Sequence, residues 1–332
     1  MKNFTSIKDI SNLNQIVQEA LEIKKNLFTN PELGKNKTLG LVFLNPSLRT
    51  RMSSIKAGEN LGMQVQVINA GADSWVWEFE EGAIMNGGTT EHIKEAAKVL
   101  SQYCDIIGIR CFPGLKDKEA DVTDKVLNTF MKYADVPVIS LESATRHPLQ
   151  SFADLITITE TWNKPTKPKV VLSWAPHVKP IAHCVGNSFA EWMNAADVDF
   201  SMANPEGYDL SQEFVGNAKV YHNQEEAIED ADYIYFKNWS SFDEYGQMPE
   251  VKGNWLLGEE FLQTHPETKF MHCLPVRRNV EMSDAILDSP NCLIYQQAYN
   301  RTVSMQTILT KILEERHCEE RSEAKRSDEA IP

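Results

Sequence analysis

Short apolar runs alternate along this chain with stretches whose apolar residues recur at helical spacing. Between Ser11 and Leu27 the residues Leu13, Ile16, Val17, Ala20, Leu21, Ile23 and Leu27 mark one face of an amphipathic helix. The pattern then predicts strand Thr38–Leu44, helix Arg49–Leu61, strand Gln64–Ile68, helix Glu91–Gln102, strand Ile106–Ile109, helix Val122–Tyr133 and strand Val138–Leu141. Residues 70–90 fit neither period and hold four glycines; so long an irregular stretch points to function or partner contact.

The second half keeps the rhythm. Helix Leu149–Thr159 leads to strand Lys169–Ser173, a proline-bearing loop over Ala175–Gly186, helix Phe189–Ala196 and strand Val198–Ala203. Helix Glu225–Glu229, strands Tyr233–Phe236 and Phe270–His272, a short helix around Ala285–Leu287, a last strand Cys292–Tyr295 and a helix Asn300–Arg316 complete it. Strand and helix alternating at this pitch predict an α/β protein of two domains, each with a parallel sheet flanked by helices. The division falls at residues 1–147 and 148–299, with helix 300–316 packing back on the first domain. From His317 the chain is charge-dense and poor in large apolar residues, which predicts a disordered charged tail over 317–332.

Composition narrows the class. A length of 332 residues supports two proper cores. A net charge of -14 excludes a general nucleic-acid binder, although a local anion pocket needs only a few cations. No segment reaches the apolar length of a membrane span, and the first residues lack a secretory apolar core, so the expected location is the cytoplasm. The six cysteines form no CxxC pair and are expected as free thiols.

Three motifs carry chemistry, each at the end of a strand-like run. Ser47-Leu48-Arg49-Thr50-Arg51 opens a helix, where unpaired N–H groups, two hydroxyls and a guanidinium can cradle a phosphate. The plainer reading is an N-cap with solvent-facing arginines. His147, with Gln150 one turn on, could polarise a carbonyl while the glutamine accepts from an amide. Neighbours such as His272 and Cys273 point to opposite faces of a strand, which disfavours a Cys/His nucleophile. No histidine or cysteine spacing fits zinc, and neither GxGxxG nor GxxxxGK[ST] occurs. Arg110 closes the strand 106–109 and is placed toward the crevice where open α/β sheets bind ligands; a surface ion pair is the plainer alternative.

Taken together, Ser47-Leu48-Arg49-Thr50-Arg51, His147-Pro148-Leu149-Gln150 and His272-Cys273-Leu274-Pro275 resemble the signature segments of the aspartate/ornithine transcarbamylase family, in order and spacing, over residues 1–315. Where ordinary ornithine enzymes carry an Asp-…-Ser-Met-Gly segment, this chain reads Phe236-Lys237-Asn238-Trp239-Ser240-Ser241. That region, with Trp75, Trp174-Ala175-Pro176-His177 and Arg277-Arg278-Asn279, is similar to the subgroup acting on N-acylated ornithine. Members of that subgroup have a knotted second domain, and Pro176 and Pro180 stand where its proline-bearing loop would lie.

The resemblance implies carbamoyl transfer from carbamoyl phosphate to the δ-amine of an N-acylornithine, without cofactor or metal, in homotrimers with shared active sites. It implies phosphate contacts from Ser47, Leu48, Arg49, Thr50 and Arg110, and carbamoyl contacts from His147, Gln150, Cys273, Leu274 and Arg301. Of these, Arg49, Arg110 and His147 are the expected catalytic groups. The first domain would bind carbamoyl phosphate and the second the amino acid, through Trp75, Thr90, Glu142, His177, Lys237 and Arg278. Thr90 stands where the N-acetyl enzymes carry Glu and the N-succinyl enzymes Pro; a neutral residue there would not repel a succinyl carboxylate. The expected acceptor is N-succinyl-L-ornithine, with N-acetyl-L-ornithine as the alternative. A silent metabolite-binding paralogue and an assembly scaffold are the rivals from other classes.

Overall fold

Thr38-Leu39-Gly40-Leu41-Val42-Phe43 has nothing that a strand covered on both faces must expose, and it forms β1 (Thr38–Phe43), buried along nearly its whole length. The protein is described here from a computed structural model covering residues 1–329. Helix α1 (Leu13–Lys25) precedes β1; α2 (Leu48–Asn60), β2 (Gln64–Asn69), the short pair β3 (Trp77–Glu78) and β4 (Glu91–His92), and α3 (Ile93–Tyr103) follow. Then come β5 (Ile106–Arg110), α4 (Lys118–Val122), α5 (Lys125–Tyr133) and β6 (Val138–Glu142). The first sheet is wholly parallel in the order β2-β1-β5-β6.

Helix α6 (Pro148–Thr161) opens the second half, with proline at the position that tolerates a missing N–H. It leads to β7 (Lys169–Trp174), α7 (Cys184–Ala195), β8 (Asp199–Ala203), α8 (Gln212–Val215), β9 (Lys219–Tyr221) and α9 (Gln224–Ile228). β10 (Tyr233–Lys237), α10 (Glu259–Thr264), β11 (Lys269–Met271), α11 (Asp284–Leu287) and α12 (Ile294–Glu329) complete the chain. The second sheet is also parallel, in the order β11-β10-β7-β8-β9. One apolar cluster runs through both halves, from Leu39, Leu41 and Phe43 to Val170, Leu172 and Tyr235 and on to Ile308 and Leu309 of α12.

This topology fixes where a ligand binds. In the first sheet the chain moves outward from β1 to β2 and then returns to β5 on the other side of β1. In the second it moves from β7 through β8 to β9 and then returns to β10 on the other side of β7. Each reversal is a topological switch point, and crevices open at the carboxyl ends of the strands there. The strand ends at these two points are Phe43 beside Arg110 and Trp174 beside Lys237.

Several elements differ from the sequence reading. The helix expected over 122–133 starts only at Lys125, because Asp124 takes a left-handed conformation with φ of 49°, and a separate short helix, α4, precedes it. Helix α7 begins at Cys184, five residues early, so the loop after β7 is shorter. The strand expected at Cys292–Tyr295 is a single bridge, Phe270 to Cys292, and Ile294 already starts α12. That run was too short for periodicity to separate strand from helix. The tail expected from His317 is helical through Glu329: its Glu, Ala, Lys and Arg are good helix formers, and no Gly or Pro interrupts them. Residues 330–332 lie outside the described part. The sequence reading also passed over β9, α8 and α10.

Candidate active site

Both switch points open into one cavity of about 190 Å³. Its walls include Ser47, Arg49 and Thr50 from the start of α2, Arg110 and Glu142 from the ends of β5 and β6, and His147 and Gln150 from the start of α6. From the second half come His177, Lys237, Cys273, Leu274 and, on α12, Arg301. Four cationic side chains face two carboxylates, Glu142 and Glu281, so the lining favours an anion.

The phosphate cradle is built at α2. Ser47 is the N-cap, yet its hydroxyl makes no capping bond, which leaves that hydroxyl and the first helical N–H groups for a ligand. Leu48 exposes its side chain and can offer only backbone. The Arg49 guanidinium makes no hydrogen bond among the described residues; burial lowers its pKa, and Arg110 nearby adds to the effect while Cys273 and Glu142 oppose it. A partly buried cation without a partner stands ready for a ligand anion. Arg110 is held instead: Nε donates to Glu142 Oε2 at 2.9 Å, and Nη1 donates to the carbonyls of Asn45 and Pro46 at 3.0 and 3.1 Å. It thereby ties the loop after β1 to the ends of β5 and β6.

Arg301 crosses from the last helix to the opposite wall. Its Nη2 donates to Thr50 Oγ1 at 2.7 Å, and its Nη1 donates to Gln150 Oε1 at 2.5 Å and lies 3.2 Å from His147 Nε2. A guanidinium can only donate, so His147 Nε2 accepts and the imidazole carries its proton on Nδ1, which has no protein partner. Burial, helped by Arg301 and Arg110 and opposed by Glu142, lowers this imidazole to about 3, so it is a neutral donor at physiological pH. For Glu142, burial raises the carboxyl, but His147, Arg110, the Cys184 thiol and Arg301 together outweigh it and hold the group below its ordinary range.

The far wall starts where β11 ends. His272 Nδ1 accepts the Leu274 N–H at 2.8 Å, which makes Nε2 the protonated nitrogen, 3.5 Å from Glu281 Oε1. Leu274 adopts φ of 57°, a conformation costly for a leucine, held by this local bond. Lys237 is buried at the end of β10, with no hydrogen bond to another side chain among the described residues. His177 accepts from Arg277 Nε at 3.1 Å, and its own Nδ1–H donates to the Lys179 carbonyl.

Most of the residues singled out in the sequence therefore meet in one place; Leu48, Arg278, Trp75 and Thr90 do not line it. Arg278 donates to Asp284 and Asp288 outside the cavity, because the start of α11 and the residue that ends it offer two carboxylates beside it. Trp75 and Thr90 are exposed on the 70–90 loop and do not line the cavity of their own chain. Glu281, Cys184 and Phe112 line it without having been singled out. Cys184, buried at the start of α7, donates to Glu142 at 3.4 Å. Glu281 gave no sequence signal: its partner His272 is nine residues away across an irregular turn. Among the described residues no group of histidine, cysteine and acidic side chains could hold a metal.

With this geometry in view, comparison with known proteins is specific. Residues 2–160 match the carbamoyl-P binding domain, and residues 182–312 the Asp/Orn binding domain, of aspartate/ornithine carbamoyltransferase. The chain belongs to the aspartate/ornithine carbamoyltransferase family. It is 48% identical to the N-succinylornithine carbamoyltransferase of Bacteroides thetaiotaomicron, over 95% of this chain and 99% of that one. It is 34% identical to the N-acetylornithine carbamoyltransferase of Xanthomonas campestris, over 94% of this chain and 98% of that one. Among solved structures, an N-acetyl-L-ornithine transcarbamylase variant complexed with carbamyl phosphate and N-succinyl-L-norvaline superposes with a TM-score of 0.86 at 33% identity, covering 94% of this chain and all of the other.

Proposed function

We propose that this protein transfers the carbamoyl group of carbamoyl phosphate to the δ-amine of N-succinyl-L-ornithine, giving N-succinyl-L-citrulline and phosphate, as a cytoplasmic step of arginine biosynthesis. The observation that carries the reading is the unpaired Arg49 beside the uncommitted Ser47 at the start of α2, facing a wall that bears Lys237. The first pair suits a phosphate dianion and the lysine suits an acceptor carboxylate. In the proposed reaction the δ-nitrogen attacks the carbamoyl carbon, the new C–N bond forms, the C–O bond to phosphate breaks, and the amine's proton leaves with the phosphate. Arg49 and the α2 N–H groups stabilise charge on the departing phosphate, the largest catalytic contribution. His147 and Arg301 act on the carbamoyl oxygen, and the two bound reactants gain from proximity.

The choice of acyl group rests on the 48% identity to an N-succinylornithine enzyme, against 34% to N-acetylornithine enzymes. Solved variants of an N-acetyl-L-ornithine transcarbamylase with one glutamate replaced by alanine, proline, serine or valine are complexed with N-succinyl-L-norvaline. This supports Thr90, a neutral residue where the family resemblance places that glutamate, as the acyl selector. Because Trp75 and Thr90 lie outside their own chain's cavity, we propose that they complete a neighbouring subunit's site in a homotrimer. Offering ornithine, N-acetylornithine and N-succinylornithine with carbamoyl phosphate tests the reading. Faster turnover of the succinyl substrate is expected, and turnover of ornithine alone overturns it.

A further inference from the structure

Behind the donor wall lies a carboxylic acid that touches no cavity residue except through an amide. Asp154 sits in α6 one turn beyond Gln150 and is fully buried. Its Oδ1 accepts two hydrogen bonds, from Gln150 Nε2 at 2.7 Å and from Gln297 Nε2 at 2.8 Å. Both glutamines are buried, and each carries its carbonyl oxygen onward. Gln150 Oε1 takes Arg301 Nη1, and Gln297 Oε1 takes the backbone N–H of His272 at 2.9 Å. One carboxylate thus reaches the α6 side of the cavity and the strand exit before Cys273.

A side-chain amide can be turned over, exchanging its donor and acceptor ends. Here the turned form of Gln150 would set its oxygen against the Asp154 carboxylate and its NH2 against the Arg301 guanidinium, so both contacts would become repulsive. We propose that Asp154 is a positioning residue of the donor pocket: through Oδ1 it locks the Gln150 amide with its carbonyl toward the cavity, where that oxygen accepts from the NH2 of a carbamoyl group. The inference rests on the carbamoyl phosphate reading above. The second oxygen of Asp154 fits the role. Oδ2 has no hydrogen-bond partner among the described residues, and the Tyr235 hydroxyl, likewise unpartnered, interacts with the same carboxyl group. Burial pushes the carboxyl up to about 7, against the hydrogen bonds of Gln297 and Gln150, so a proton taken up near neutrality goes to Oδ2 and leaves the paired oxygen undisturbed.

The amide lock acts on the carbamoyl group and not on phosphate, which separates positioning from general structure. Affinities for carbamoyl phosphate and for inorganic phosphate are measured in the intact protein and in Asp154→Ala, with Asp154→Leu, which fills the volume without accepting, used if the alanine variant does not fold. Losing one oriented hydrogen bond should weaken carbamoyl phosphate binding about tenfold and phosphate binding less than about twofold. Asp154→Asn, whose amide oxygen can accept from both glutamines, should stay within about threefold of the unchanged protein for both ligands. Equal weakening of both ligands, or of neither, would overturn the inference. If the unchanged protein binds carbamoyl phosphate no better than phosphate, the functional reading fails first and the inference with it.

Discussion

In the proposed reaction Arg49 carries most of the charge stabilisation, and because it has no hydrogen-bond partner among the described residues its removal is cheap for the fold. Arg49→Ala should lower turnover by about 30- to 1000-fold, or about 2–4 kcal/mol at the transition state, with an unchanged unfolding midpoint; steady-state rates and a thermal melt together check this. Lys237→Gln should instead raise KM for the N-acylornithine about 10- to 100-fold, with little change in KM for carbamoyl phosphate, as expected for one lost charge-assisted contact. His147 links activity to acid stability. Its imidazole stays neutral in the folded state down to about 3, whereas an exposed one protonates near 6.5. The unfolded chain therefore binds the proton first, and stability present above 6.5 drains away as pH falls toward 3. His147→Asn should shrink the fall of the unfolding midpoint between pH 6.5 and 4. Asp154 acts with the opposite sign, since its raised carboxyl favours the fold below its unfolded pKa and loses that benefit as pH rises through about 7.

At the scale of elements, two helix starts with the same appearance do different work. Asn12 caps α1 through a bond from the Gln15 N–H at 3.0 Å, whereas Ser47 makes no such bond at α2. Asn12→Ala should cost about 1 kcal/mol of stability, while Ser47→Ala should cost a few tenths or less yet weaken phosphate binding; denaturant unfolding and a phosphate titration separate the two. The central strands were legible because they are apolar on both faces, and the start of α2 because Ser47 follows such a run. Cys292–Tyr295 was misread because its apolar residues are equally at home in the first turn of a buried helix. The break at Thr123–Asp124 depends on a contact no local pattern encodes: Asp124 accepts the Thr145 N–H and the Ser143 hydroxyl, binding the turn before His147.

At the scale of the whole molecule, the two sheets share one design, and the reversals of strand order bring their carboxyl ends to a common cleft. The motifs were readable in the sequence because strand ends carry them. The interior supports, Asp154, Gln297 and Glu281, were not, because each acts across more than one element. The same distinction bears on α12: among the described residues its buried apolar positions end at Leu313, and Arg316 donates to the Asp105 carbonyl. Truncation after Arg316 should leave the unfolding midpoint within about 2 °C, because Leu313 and the buried apolar positions before it are all retained; a shift well beyond that would show that residues 317–332 carry stability. Arg301 imposes an order in time as well. The first domain has all its own strands once residue 142 has been made, yet its donor pocket lacks the guanidinium joining Thr50 to Gln150 until translation reaches codon 301. The wall that joins these two helix starts is therefore finished only after the second domain has been made, so the pocket cannot take its final form on the first domain alone.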